Sequence, residues 1–139
     1  ADGLPAYGAE FITEGYIYPA GTLTCEDNVC NGVLPDGSPE FPDLVLGTWT
    51  CRGWHVGEGA DTTEGPWVIT TQTYAFGEDF HSQNIVTDGF EGPQFDTELT
   101  RSIVGGTGRY RFARGEQKQT LLGWNDSIGV ALSVTMRVR

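Results

Sequence analysis

Glu14 lies inside a strand-like run, Glu10 to Tyr18, among Phe11, Ile12, Tyr16 and Ile17. An acid with apolar and aromatic neighbours is a candidate for handling a proton or polarising a substrate. Asp88 is the second candidate, on the strand face it shares with Val86 and Phe90. Arg101, on the face of Leu99 and Ile103, can pair with one of these acids or stabilise an oxyanion or enolate. Tyr16, Trp49, Tyr74 and Phe90 are the aromatic side chains expected to wall a cavity around them. Each residue also has an ordinary structural reading. A strand acid near an edge points to water, an arginine pairs with a surface carboxylate, and strand aromatics fill cores more often than they line sites.

Other chemistries are poorly served. Cys51 as a nucleophile needs an activating base. His55 lies four residues along the same strand face, which is roughly 13 Å away by strand rise. With only two histidines, His55 and His81, no Ser-His-Asp pattern exists, and neither histidine has ligand-like spacing to a cysteine. No metal and no cofactor are expected. Cys25 and Cys30 flank a four-residue stretch, and a disulfide between them would close a short loop worth about 2 kcal/mol in the chain-entropy model. That spacing, with an N-terminal Ala1-Asp2 in place of Met, is the expectation for an exported chain.

Charge excludes more. The 139 residues carry a net −11. Residues 1–100 hold 17 acids against one base, Arg52, whereas residues 101–139 hold seven bases and two acids. A chain so acidic lacks the clustered cations that phosphate contacts need, so nucleic acid is not an expected partner. No stretch approaches the apolar length of a membrane-spanning helix.

The elements that must position these residues are strands. Twenty glycines and seven prolines, with Thr, Val, Tyr and Trp between them, indicate an all-β chain of many turns. Residues 1–9 form a lead-in, and Glu10 to Tyr18 is the first strand. Gly21 to Thr24 is a further short one. Residues 25–42 are the longest turn-rich stretch and the candidate lid. Strands follow over Leu44 to Val56, Trp67 to Phe76, Gln83 to Phe90, Thr97 to Val104, Glu116 to Leu122 and Gly129 to Val138, with Glu91 to Phe95 as a turn. Gly47 and Gly53 share a face of one bulky strand, as happens where a sheet bends or a ligand comes close. Seven or eight such strands form one domain, 1–139. The expected architecture is an antiparallel β-barrel of about eight strands around a central cavity.

One motif is more specific. Ser102 to Gly115 reads S-I-V-G-G-T-G-R-Y-R-F-A-R-G, and Gly105, Gly106 and Gly108 let the chain reverse tightly. It lacks the Gly-Lys-Thr/Ser ending of a P-loop, and no helical pattern follows it. Val104-Gly105-Gly106-Thr107-Gly108, an aromatic at Tyr110 or Phe112, and Ala113-Arg114-Gly115 resemble the signature of the dirigent and allene oxide cyclase-like barrels. Leu44-Val45-Leu46-Gly47 and Gly129 to Val138 echo other strands of that family. Thr48-Trp49-Thr50-Cys51 stands where the family has Arg-Ala-Gln-Gly.

The resemblance implies an eight-stranded barrel, often a homo-oligomer, that takes a hydrophobic small-molecule substrate without a cofactor and steers it to one stereochemical outcome. It also implies an acid on the first strand, the place that Glu14 occupies. Two functions are therefore expected. One is a cofactor-independent cyclase or isomerase of natural-product biosynthesis. The other is a lipocalin-like carrier that binds a similar ligand without turnover. A polar pair facing the cavity favours the first, and a purely apolar lumen favours the second.

Overall fold

A computed structural model describes residues 5–77 and 82–139. The described chain is all-β, with nine strands in one sheet: β1 (Glu10–Ile17), β2 (Cys25–Glu26), β3 (Val29–Cys30), β4 (Gly47–His55), β5 (Val68–Phe76), β6 (Asn84–Glu91), β7 (Glu98–Gly106), β8 (Gly115–Trp124) and β9 (Val130–Val138). Seven of these are long, and they pair antiparallel in the order β1-β4-β5-β6-β7-β8-β9. Val29 of β3 pairs parallel with Trp124 of β8, and an isolated parallel bridge joins Phe95 to Leu121. Among the described residues no helix is long and apolar enough to cross a membrane.

Strict alternation sets which side chains go inward. Along β4, Gly47, Trp49, Cys51, Gly53 and His55 are all buried, while Thr48, Arg52 and Trp54 are exposed. Trp49, Cys51, Tyr74, Ile85, Ile103 and Ala113 form the core, and Phe11, Ile17, Phe76, Tyr110 and the inward face of β9 pack against it. Side chains from both ends of the sheet thus meet in one core, so the sheet is strongly curled.

The curl is not closed. No pairing joins β1 to β9, which are the two long edges, so the expected eight-stranded barrel is not what the backbone hydrogen bonds describe. The reason lies in residues 18–46. Gly21–Thr24 is irregular chain rather than a strand, and the stretch builds the two-residue hairpin β2–β3 instead of an eighth full strand. Cys25 and Cys30 are bonded across that hairpin, with an S–S distance of 2.03 Å. The hairpin docks on the end of β8, where Trp124 N–H donates to Asn28 O (2.9 Å) and Asn28 Nδ2 donates to Leu122 O (2.7 Å).

Gly53 shows how tightly the sheet bends. A Cβ placed on it would lie 2.0 Å from the backbone oxygen of Ile69 on β5. Gly53→Ala is therefore expected to destabilise the chain by at least about 1–3 kcal/mol, the usual cost of overpacking. Urea unfolding checks this, and an unchanged midpoint would show that the strands can shift apart.

The glycine motif is the corner between β7 and β8. Gly108 sits at φ +60 in a single 3-10 turn, where a side chain would be strained. Thr107 N–H donates to Asn84 O (2.8 Å), and Asn84 N–H donates back to Thr107 Oγ1 (3.0 Å). Ala113 is buried beneath the corner. These bonds pin the corner to β6.

Candidate functional site

Every second residue of a strand faces inward, and at several such positions the side chain is polar. These are Thr70, Gln72 and Tyr74 on β5, Thr87 and Glu91 on β6, Arg101 on β7, and Gln117 and Gln119 on β8. Buried polar groups must find partners, and here they find one another. Glu91 Oε1 accepts hydrogen bonds from Gln72 Nε2 (3.0 Å) and Gln119 Nε2 (2.5 Å). Glu91 Oε2 accepts from Thr70 Oγ1 (2.5 Å) and, at longer range, from the Cys51 thiol (3.6 Å). Gln72 Nε2 also donates to Gln119 Oε1, and Gln72 Oε1 accepts from Tyr74 Oη and Gln117 Nε2. Four donors from three strands converge on one carboxylate.

Arg101 supports this arrangement. Its side chain is fully buried, and Nη1 lies 3.8 Å from Glu91 Oε2, the one ion pair among the described residues. Its other bonds explain its position. Backbone pairing of β6 with β7 stops at Asp88 and Ser102, so the two strands splay beyond that point. The guanidinium spans the split, donating to Gly89 O (3.0 Å), Thr70 O (3.0 Å) and Thr87 Oγ1 (3.4 Å). The planar fork of arginine suits such a bridge, where a lysine would reach one acceptor.

Two hollows meet at Glu91. On the outside, the split leaves a groove of about 480 Å³ bordered by Pro66, Asp88, Phe90, Leu99 and Arg101. On the inside is a cavity of about 350 Å³ with mainly apolar walls. Phe11, Trp49, Trp67, Val68, Leu121, Val130 and Leu132 line it, and Glu91, Gln119, Cys51, His55 and Thr13 supply polar groups. His55 Nδ1 is buried without a hydrogen-bond partner. Among the described residues no group of three His, Cys, Asp or Glu side chains is placed to hold a metal ion. The arrangement is an apolar chamber with an anchored carboxylate at its polar end, suited to binding an apolar molecule beside one negative charge.

No protein-family model, no curated protein and no solved structure matches the chain.

Arg101, Trp49 and Tyr74 lie on the inner face, each of them buried. Trp49 lines the cavity, and Tyr74 sits deeper, its hydroxyl bonded to Gln72. The other candidates lie on the outer face. Glu14 is exposed, opposite Thr50 of β4. Asp88 is exposed and accepts a hydrogen bond from Thr71 Oγ1 at 3.0 Å. Phe90 is 54% exposed, against the outer groove. Tyr16 turns towards the long loop, donating its hydroxyl to Gly37 O at 2.7 Å. That loop, residues 25–42, contributes none of the cavity's lining residues. His81 lies outside the described residues.

Glu91 is the residue that sequence reasoning passes over. Gly92-Pro93 follows it and reads as a turn, so Glu91 was expected there rather than at the end of β6. The available signal was indirect. Gln72, Gln117 and Gln119 interrupt strands that are otherwise suited to a core, and buried amides require a polar partner.

Burial tunes two side chains in the cavity wall. It pushes the Cys51 thiol up to about 12, with the Glu91 carboxylate adding to the effect. Cys51 is the only free cysteine. Iodoacetamide at pH 8 is thus expected to label the native chain very slowly and the urea-unfolded chain fast; rapid native labelling would mean an accessible, lower-pKa thiol.

Desolvation lowers the pKa of His55 from its ordinary value of 6.5. Between that lowered value and 6.5 the unfolded chain binds a proton that the folded chain does not. The contribution of His55 is therefore complete above about pH 6.5 and is lost as the pH falls towards the folded pKa. Thermal melts from pH 7.5 to 5 should show this slope in the native chain and a weaker one in His55→Gln. Parallel slopes would count against a buried, neutral imidazole.

Proposed function

We propose that the chain is a cofactor-independent cyclase or isomerase of natural-product biosynthesis. It folds a hydrophobic small molecule within the curled sheet and directs its stereoselective cyclisation. One observation carries this reading: the carboxylate of Glu91, caged by donors and backed by Arg101, stands at the polar end of an apolar cavity. The curled all-β sheet and the glycine corner fit a dirigent or allene oxide cyclase-like barrel whose seam between β1 and β9 is open.

The mechanism follows from placement. Aromatic and aliphatic walls hold a flexible chain in a coiled, near-attack shape and exclude water, which supplies much of the barrier reduction in a ring closure. Glu91 stabilises positive charge that develops along the folded chain, without having to reorient when that charge appears. With a polyene epoxide, the step breaks the epoxide C–O bond and forms a C–C bond. The proton lost from the resulting carbocation passes to the opened oxygen, so no oxidant, reductant or second substrate is consumed. Arg101 acts through Glu91 as a positioning residue. Glu14 and Asp88, on the outer face, are assigned no part in the chemistry.

The apolar walls alone equally suit a lipocalin-like carrier. Incubation with neutral polyene epoxides, with no cofactor added, separates the two. The cyclase reading expects ring-containing products of unchanged mass, formed at a rate proportional to protein. Saturable binding with no rate above the buffer control would leave the carrier.

A further inference from the structure

Ile128 is costly to the fold in two ways. It is a β-branched residue at φ +66, in the left-handed region that such residues avoid. It is also 82% exposed, the most of any large apolar side chain described. The β8–β9 turn holds it there firmly. Asn125 Oδ1 accepts hydrogen bonds from Ser127 N–H, Ser127 Oγ and Gly129 N–H, and Ile128 N–H donates to Asn125 O at 2.9 Å. Asn or Gly would suit this turn position better. The location of Ile128 offers a reason for its presence. It lines the cavity. β1 and β9 are the unpaired edges of the sheet, and Ile128 lies in the turn that leads into β9.

We propose that Ile128 is a ligand-contact residue that covers the apolar tail of a chain-like ligand whose polar head lies at Glu91. This rests on the reading of the cavity as an apolar-ligand site. The chemistry of the head follows from the cage. The Cys51 thiol is the most distant of the four donors to Glu91 and lines the cavity, so it is the one a ligand donor displaces. A hydroxyl can donate there, whereas an ionised carboxylate head has no proton to donate to Glu91. Arg101 already balances Glu91 and donates to Gly89 O, Thr70 O and Thr87 Oγ1, and it does not line the cavity, so it offers an anionic head no contact there. The ligand class is therefore a neutral, hydroxyl-headed hydrocarbon chain. Ligand contact returns the apolar exposure of Ile128, and the backbone strain is the cost that remains in the free protein.

The test uses the full chain and its Ile128→Asn and Ile128→Gly variants, with the primary alcohols from hexanol to dodecanol and with decanoate. Binding is read by tryptophan fluorescence and calorimetry. Both variants should melt higher, by roughly 3–5 °C as strain is relieved, yet bind dodecanol roughly tenfold more weakly. Hexanol, with a shorter apolar tail, should lose less than about twofold. The native chain should prefer decanol to decanoate. Variants that bind dodecanol as well as the native chain, or that melt lower, overturn the role of Ile128 while leaving the cavity reading intact. A preference for decanoate overturns the ligand class. A native chain that binds no alcohol overturns both the inference and the cavity reading.

Discussion

Glu91→Gln is expected to slow turnover by about 10²–10⁴-fold, the range that a positioned acid–base or charge-stabilising group commonly supplies. The affinity for an unreactive apolar ligand should change little, because the walls of the cavity are untouched. The substitution keeps size and shape but turns part of an acceptor into a donor. Its new amide must face either Thr70 and Arg101 or Gln72 and Gln119, all of them donors towards this position. Stability should therefore fall by about 1–3 kcal/mol, as when a buried group loses its partner. Measuring kcat and ligand Kd separately, at a temperature where the variant is folded, isolates the chemical effect. Equal losses in both would mean that Glu91 holds the cavity together without taking part in the chemistry.

The largest effect on stability is expected at Arg101. Arg101→Met removes the partner of a carboxylate that is only 12% exposed, and it strips donors from Gly89 O, Thr70 O and Thr87 Oγ1 where β6 and β7 have parted. Breaking a buried pair from one side costs about 3–5 kcal/mol, a large share of the roughly 5–15 kcal/mol that holds a domain folded. Removing both charges, as Arg101→Met with Glu91→Gln, should recover part of that loss, because no uncompensated charge is left. Arg101→Lys should fall between, keeping the charge but losing the fork. Urea unfolding of the three variants reads these differences directly. A loss below about 1 kcal/mol for Arg101→Met would place this pair with ordinary exposed ones.

Strand positions were legible in the sequence because alternation and glycine or proline punctuation are local signals. β4, β5, β6 and β9 fall within a few residues of their expected bounds, and the glycine motif marks a real corner. Which of two faces points inward was less legible. In β1 both faces carry apolar residues, Phe11 and Ile17 on one and Ile12 and Tyr16 on the other, so the pattern could not send Glu14 outward. Asp88 and Phe90 lie one residue off the inward series Ile85, Thr87 and Glu91. The cage around Glu91 was beyond local reading altogether. Gln72 and Gln119 are 47 residues apart and meet only because the sheet curls back on itself. Closure of the barrel failed for a similar reason: strand count does not reveal that residues 18–46 dock as a small hairpin.

The central claim, that the cavity headed by Glu91 directs a ring closure, is tested most directly by the stereochemistry of its product. An achiral or racemising neutral polyene epoxide that cyclises unaided in water gives a racemic product, so any asymmetry reports the shape of the chamber. The native chain is expected to yield one enantiomer in clear excess, and Glu91→Gln to return the product to the racemic ratio. A racemic product at saturating native protein, with the ligand demonstrably bound, would contradict the claim.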